Sequence, residues 1–341
     1  MNGNKDCLAP KMKAASTPAG TNRPVFVTFR TFFTHFISYE MNYCLKNFKR
    51  RLGFLLYLRI CISLSRKKNV TMRLHHILAI GRAERYSPNS VEKDAAILAC
   101  VCHELARAGH AVETINETQL GEIMPDITAC ITMGRNPQTL ERLDAISRRG
   151  VTVVNSQEGV RLCCQRRRLD AVLRNAGICV PSTAGCHGYW LKRADGTSEG
   201  PGDIRFAADA AERDRVMENM RNEGMGDIIV SAHIPGDLLK FYGVRGTGFF
   251  RTFYPGDDRQ WKFCDEEHNG RPHHYAFSID AFHAMAEKAA QATDVIVYGG
   301  DAIINADGQP TVIDFNDWPS FSRCRDEAAS AIAKAFTAGL K

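Results

Sequence analysis

From residue 72 onward the chain alternates short apolar runs with stretches of helical period, and that alternation constrains the fold more than any other feature. Residues 74–80 are an apolar run ending at Gly81, a polar loop covers 82–89, and the spacing predicts a helix over 90–108 closed by Gly109. Strand patterns follow at 111–115, 126–133 and 151–154, with a second helix over 137–149 stopped by Gly150. Strands joined by crossover helices are covered on both faces, so the pattern predicts a parallel, Rossmann-like layer. The G-x-G-x-x-G fingerprint is absent after the first strand, so this layer carries no nicotinamide expectation.

Charge divides the chain at the same place. The net charge is +6, but residues 1–71 hold 13 Lys and Arg against Asp6 and Glu40, which is +11 and leaves −5 for the rest. A basic surface for nucleic acid is therefore an expectation for the N-terminal segment alone. That segment lacks a sustained period, and its most apolar part, 52–64, is interrupted by Arg59 and too short to span a bilayer. It reads as sequence outside the true domain, with a membrane-surface helix and a divergent targeting segment as alternatives. None of the 12 cysteines forms a C-x-x-C pair, so the expectation is a reduced, cytoplasmic protein.

The chemistry concentrates in the C-terminal half. Residues 297–321, V-Y-G-G-D-A-I-I-N-A-D-G-Q-P-T-V-I-D-F-N-D-W-P-S-F, read as two apolar strands around a turn at 306–309. Pairing Asn305 with Pro310 sets Asp301 opposite Asp314, and period two keeps Asn316 on the face of Asp314. Three hard oxygen donors then converge, as magnesium prefers. Upstream, Lys192 ends a strand before a loop with Gly196, Thr197, Ser198 and Gly200, whose backbone N–H groups suit phosphate. Lys240 and Arg251 lie on two further strands as candidate cations. His268, His273 and His274 lack companion ligands at zinc spacing and read as an exposed loop.

The run at 153–181, V-V-N-S-Q-E-G-V-R-L-C-C-Q-R-R-R-L-D-A-V-L-R-N-A-G-I-C-V-P, reads as one capped helix ending at Gly177. It resembles the linker helix of the ATP-grasp superfamily, and the resemblance continues through the motifs above to Phe321. It implies an α/β (α+β) ATP-grasp fold: a Rossmann-like domain at 72–155, a linker helix and central subdomain at 156–230, and a C-terminal subdomain at 231–341 with the metal site. It further implies that Lys192, Arg166 and the loop carrying Gly196, Thr197, Ser198 and Gly200 hold ATP phosphates. Backbone groups around Ala232 and His233 would meet adenine, and Asp237 the ribose. Asp301, Asp314 and Asn316 would bind one or two Mg2+ ions, or Mn2+, with Lys240 and Arg251 facing the γ-phosphate as catalytic cations.

Two positions depart from the superfamily pattern. Ser231-Ala232-His233 stands where Gln-Glu-aromatic is common, and Arg166 stands for a lysine, with the neighbours Arg167 and Arg168 leaving the register open by one. The implied activity is ligation of a carboxylate to an amine or thiol through an acyl phosphate. A kinase of the inositol-phosphate type and a non-catalytic ATP-binding regulator are the alternatives. The expected partner is a small anionic substrate, suggested by Arg82, Arg85, Arg323 and Arg325, with no nucleic acid and no stable membrane association. Self-association as a homo-oligomer stays open.

Overall fold

A computed structural model describes residues 74–87, 90–121, 126–194, 201–257 and 270–340; the N-terminal segment, the loop at 195–200 and His268 lie outside them. The alternating region forms a parallel sheet of β1 (His76–Gly81), β2 (Ala111–Asn116), β3 (Ala129–Thr132) and β4 (Thr152–Val154), ordered β2-β1-β3-β4. Helix α1 (Val91–Arg107) buries Ile97, Leu98, Val101 and Leu105, the i, i+4, i+8 row that its sequence supplies. Helix α2 (Pro137–Arg148) covers the other face through Leu140, Leu143 and Ile146. Its start is fixed by Asn136, whose side chain accepts the Gln138 N–H, and by Pro137 in the first turn.

The single helix expected over the 155–177 run is two. Helix α3 (Gln157–Cys163) and helix α4 (Arg166–Asn175) are separated at Gln165, whose φ of −114° and ψ of 82° lie outside the helical region. Two antiparallel sheets follow. The smaller, β6-β5-β7, consists of β5 (Tyr189–Arg193), β6 (Ile204–Ala207) and β7 (Ile228–Ala232), backed by α5 (Ala210–Asn222). The larger, β11-β10-β8-β9, consists of β8 (Asp237–Val244), β9 (Phe249–Phe253), β10 (Val297–Ile304) and β11 (Pro310–Asp317). One face of the larger sheet packs Leu239, Phe241, Phe250 and Phe315 against Phe282 and Ala286 of α6 (Ile279–Ala292). Part of its other face meets α7 (Arg325–Ala338), which also packs on α1.

The β10–β11 register contains a correction. At the turn end Ile304 pairs with Pro310 and Ala302 with Val312, one residue off the Asn305–Pro310 pairing expected from sequence. A β-bulge at Ile313 absorbs the difference, so Asp301 still faces Asp314 and Gly299 faces Asn316. The cause is the core: Val312 and Phe315 are both buried in the same cluster although three residues apart, which a regular period of two forbids. Burying both therefore inserts one residue between them and turns Asp314 and Asn316 to the open face. Gly300 permits the approach, because a Cβ there would collide with the Asp314 carbonyl.

Two buried polar residues bind the layers together. Asn155, fully buried, donates to the Val297 carbonyl (2.8 Å) and accepts the Ile296 and Val297 N–H groups (2.9 and 2.8 Å), tying the end of β4 to the start of β10. Glu117, 2 % exposed, accepts the N–H groups of Ala83, Arg135 and Asn136 at 2.6, 2.9 and 2.7 Å, which clamps the loops after β1 and β3. No helix among the described residues is long and apolar enough to cross a membrane.

Candidate functional site

Strand β10 is buried along its length except at Asp301, the one charged residue in an otherwise apolar central strand. Its neighbours on either side are Lys240 of β8 and Asp314 of β11, so the three side chains form a single row across the sheet. Lys240 Nζ donates to Asp301 Oδ1 at 3.1 Å. One rung along, Asn316 Nδ2 donates to Asp314 Oδ2 at 2.9 Å, holding the amide beside the carboxylate.

The second sheet supplies the opposing wall. Lys192 at the end of β5 reaches across to the Ile313 carbonyl, with Nζ 3.1 Å from the oxygen. The bulge that rotates Asp314 onto the open face therefore also provides an acceptor for this lysine. Burial lowers the Lys192 ammonium below its ordinary value and the Arg166 charge adds to this, while Asp314 and Asp301 oppose it. Burial alone would raise the Asp314 carboxyl. Lys192, Arg166, the Asn316 amide and Lys240 together hold it below the ordinary aspartate value.

The run of arginines at the start of α4 separates by position. Arg166 donates to the Arg193 carbonyl at 2.6 Å and acts on the charges of both Lys192 and Asp314. Arg167 instead pairs with Asp227, and Arg168 with Glu158, both on exposed surface. Arg166 is thus the member of the run that the fold brings to the site.

Other expected contributors are placed differently. Arg251 shares the sheet face of Lys240, but its guanidinium is engaged by Glu327 at the start of α7 and lies over the Phe249 ring. Asp237 is 1 % exposed, and its carboxylate accepts the N–H groups of His273 (2.7 Å) and Tyr275 (3.0 Å); it anchors the segment after residue 270, a task different from a ribose contact. The N–H groups of Ala232 and His233 are taken by the Ser182 and Gly188 carbonyls, so an adenine edge would need other backbone groups of that stretch. His233 accepts from Trp190 Nε1 at 3.1 Å and packs edge-on against Phe206. Gly196, Thr197, Ser198 and Gly200 lie outside the described residues.

Arg82, expected at a substrate rim, is buried. It contacts Asp94 at 3.1 Å and donates to the carbonyls of Met133 and Trp318 at 3.1 and 3.0 Å. Asp317, at the end of β11, lies between Arg82 and Arg135, with Arg135 at 2.5 Å. This network joins the parallel sheet to the strand that carries Asp314 and Asn316. Sequence reading missed Arg135 and Glu117; the N-x-x-Q capping box at Asn116 was the one local sign that Glu117 sits in an ordered turn. Trp318 and Phe321, both fully buried, adopt φ values of 45° and 48°, a strained conformation that tight packing of the W-P-S-F segment enforces.

Asp301, Asp314 and Asn316 offer two carboxylates and an amide, a hard set that suits magnesium held jointly with nucleotide phosphates. Among the described residues no three His, Cys, Asp or Glu side chains are grouped to hold an ion.

No protein-family model matches the chain, and no curated protein sequence matches it. Solved structures do. A RimK-domain ATP-grasp protein from Sphaerobacter thermophilus DSM 20745 is 17 % identical, with 76 % of this chain and 99 % of that chain covered at a TM-score of 0.54. The VanG D-Ala:D-Ser ligase from Enterococcus faecalis is 12 % identical over 79 % and 99 % of the two chains, with a TM-score of 0.56. The D-cycloserine synthetase DcsG is 15 % identical over 78 % and 100 %, with a TM-score of 0.52. The chain therefore has the ATP-grasp fold: a parallel α/β sheet followed by two antiparallel sheets that face each other across the site.

Proposed function

We propose that this protein is a magnesium- and ATP-dependent ligase that joins a carboxylate to an amine or thiol. The observation that carries the reading is the row Lys240–Asp301–Asp314 across one sheet, with Lys192 reaching over it from the other. Cations and hard oxygen donors facing each other suit phosphoryl transfer by positioning and charge stabilisation.

Lys192 and Arg166 hold the nucleotide phosphates, Lys192 as a compact charge and Arg166 through its planar fork. Asp301, Asp314 and Asn316 hold the magnesium, which when bound neutralises phosphate charge. A substrate carboxylate oxygen attacks the γ-phosphorus, the bond to the β-phosphate oxygen breaks, and ADP leaves. An amine or thiol then attacks the acyl-phosphate carbonyl, phosphate departs, and the nucleophile's proton passes to solvent. Lys240 faces the transferring group, with Arg251, on the same sheet face and paired with Glu327, as the second candidate cation. The neighbours named as ligases support this branch. The acceptor is a small molecule, and the proposed compartment is the cytoplasm.

A small-molecule kinase is the second reading, favoured by two features: Asp314 stands where many ATP-grasp ligases carry Glu, and N-D-W-P-S-F from Asn316 to Phe321 resembles the asparagine-x-aromatic-proline run of the kinase branch. The test follows ADP and inorganic phosphate separately while pure protein, magnesium and ATP meet a library of carboxylates, amines and alcohols. Ligation releases both, kinase transfer releases ADP alone, and a binding module releases neither.

A further inference from the structure

Asp301 and Asp314 do not stand as a bare acidic pair. Lys240 donates to Asp301, Lys192 and Arg166 act on Asp314, and the five groups carry three positive charges against two negative. Lys240 and Asp301 are mostly shielded from solvent, their side chains 17 % and 23 % exposed, so water screens this pair less than a surface one. A free divalent cation approaching Asp301 meets an ammonium already seated 3.1 Å from Oδ1. A polyphosphate meets the opposite field: it is attracted by the same cluster and offers Lys240 a second set of oxygens.

We infer that Lys240 is a placeholder cation on Asp301, so that the site excludes free magnesium and admits the metal only together with a nucleotide polyphosphate that draws Lys240 away. This rests on the proposed nucleotide site and adds an order of binding to it. Lys240 moves from a carboxylate to a phosphate as the metal takes its place, and no bond is made or broken. The geometry supports the exchange, because Lys240 and Asp301 are directly opposed on neighbouring strands and Asp314 is the next residue in the row. One carboxylate is thereby shared by two competing cations. An opposite charge at this range shifts an ionic equilibrium by about 1–3 powers of ten.

The experiment titrates the full chain with Mn2+, read by the paramagnetic signal of the free ion, with and without a non-hydrolysable ATP analogue. Wild type should take up Mn2+ only when the analogue is present. Lys240→Met, which keeps an unbranched side chain one atom shorter and removes its charge, should bind Mn2+ without nucleotide at least about tenfold more tightly than wild type. Lys240→Gln, a second neutral variant, should do the same, and unfolding curves of both confirm that the folded protein is being titrated. Asp301→Asn combined with Lys240→Met should abolish the gain. If the analogue binds but neither neutral variant takes up Mn2+ more tightly, the placeholder role is overturned while the nucleotide site stands. If the analogue does not bind wild type even with Mn2+, the nucleotide reading falls and the placeholder with it.

Discussion

Asp314→Asn removes one negative charge from the centre of the row while keeping nearly the same shape. Asp314 faces Lys192, Arg166 and Lys240 and accepts from Asn316 at 2.9 Å, so the variant leaves three cations opposed by Asp301 alone. Metal-free ATP should bind at least as well, because the pocket becomes more positive. The metal should suffer. A unit charge pair at 4 Å in an effective dielectric near 20 is worth about 4 kcal/mol, and a divalent ion doubles the interaction that its ligand loses. After the amide dipole replaces part of it, several kcal/mol remain, enough for a roughly 100-fold or greater fall in turnover. Calorimetry with ATP in chelator reads the first effect, and ADP release with magnesium and an acceptor from the screen reads the second. Asp307→Asn is the control: Asp307 is an exposed turn residue whose N–H donates to Asn305, and its loss should leave turnover unchanged. Equal turnover in the two variants would refute the placement of the metal on this row.

Lys192→Ala should weaken ATP binding roughly ten- to a hundredfold by calorimetry, since a charge-assisted contact worth about 1.5–3 kcal/mol is lost. Lys192→Arg should not restore it, because the ammonium fits against the Ile313 carbonyl and a planar fork needs a different seat. Glu117→Gln should destabilise the fold by about 2–3 kcal/mol in chemical denaturation, because an amide NH2 then confronts backbone donors in a buried site. Nucleotide affinity of the folded variant should stay near wild type; a large loss would show that the clamp shapes the site. The folded-state value of Asp314 lies below the ordinary 3.8, so its carboxylate stabilises the fold above that pH and the contribution is lost as pH falls through the folded value. Thermal unfolding should therefore show an acid limb below about pH 4 that Asp314→Asn lacks in part, with a constant difference between the two proteins from about pH 5 to 8.

Local pattern was enough for much of this protein. The short apolar runs and helical spacings of residues 74–154 sufficed for the parallel layer, because both faces of that sheet must be covered and each helix declares its apolar row. The hairpin at 297–317 was legible for the same reason: lone acids in apolar strands have one open face to occupy. Long-range packing decided the rest. The bulge at Ile313 exists because Val312 and Phe315 must both enter one core, and no window of β11 alone shows where that core lies. Asp237 and Arg82 carry the right chemistry for ligand contacts, yet one is filled by loop N–H groups and the other by Asp94 and backbone carbonyls as far along the chain as Trp318. Which partners a charged side chain meets is decided by the fold, for Arg82 at separations of 12 to 236 residues, and no local window of sequence shows them.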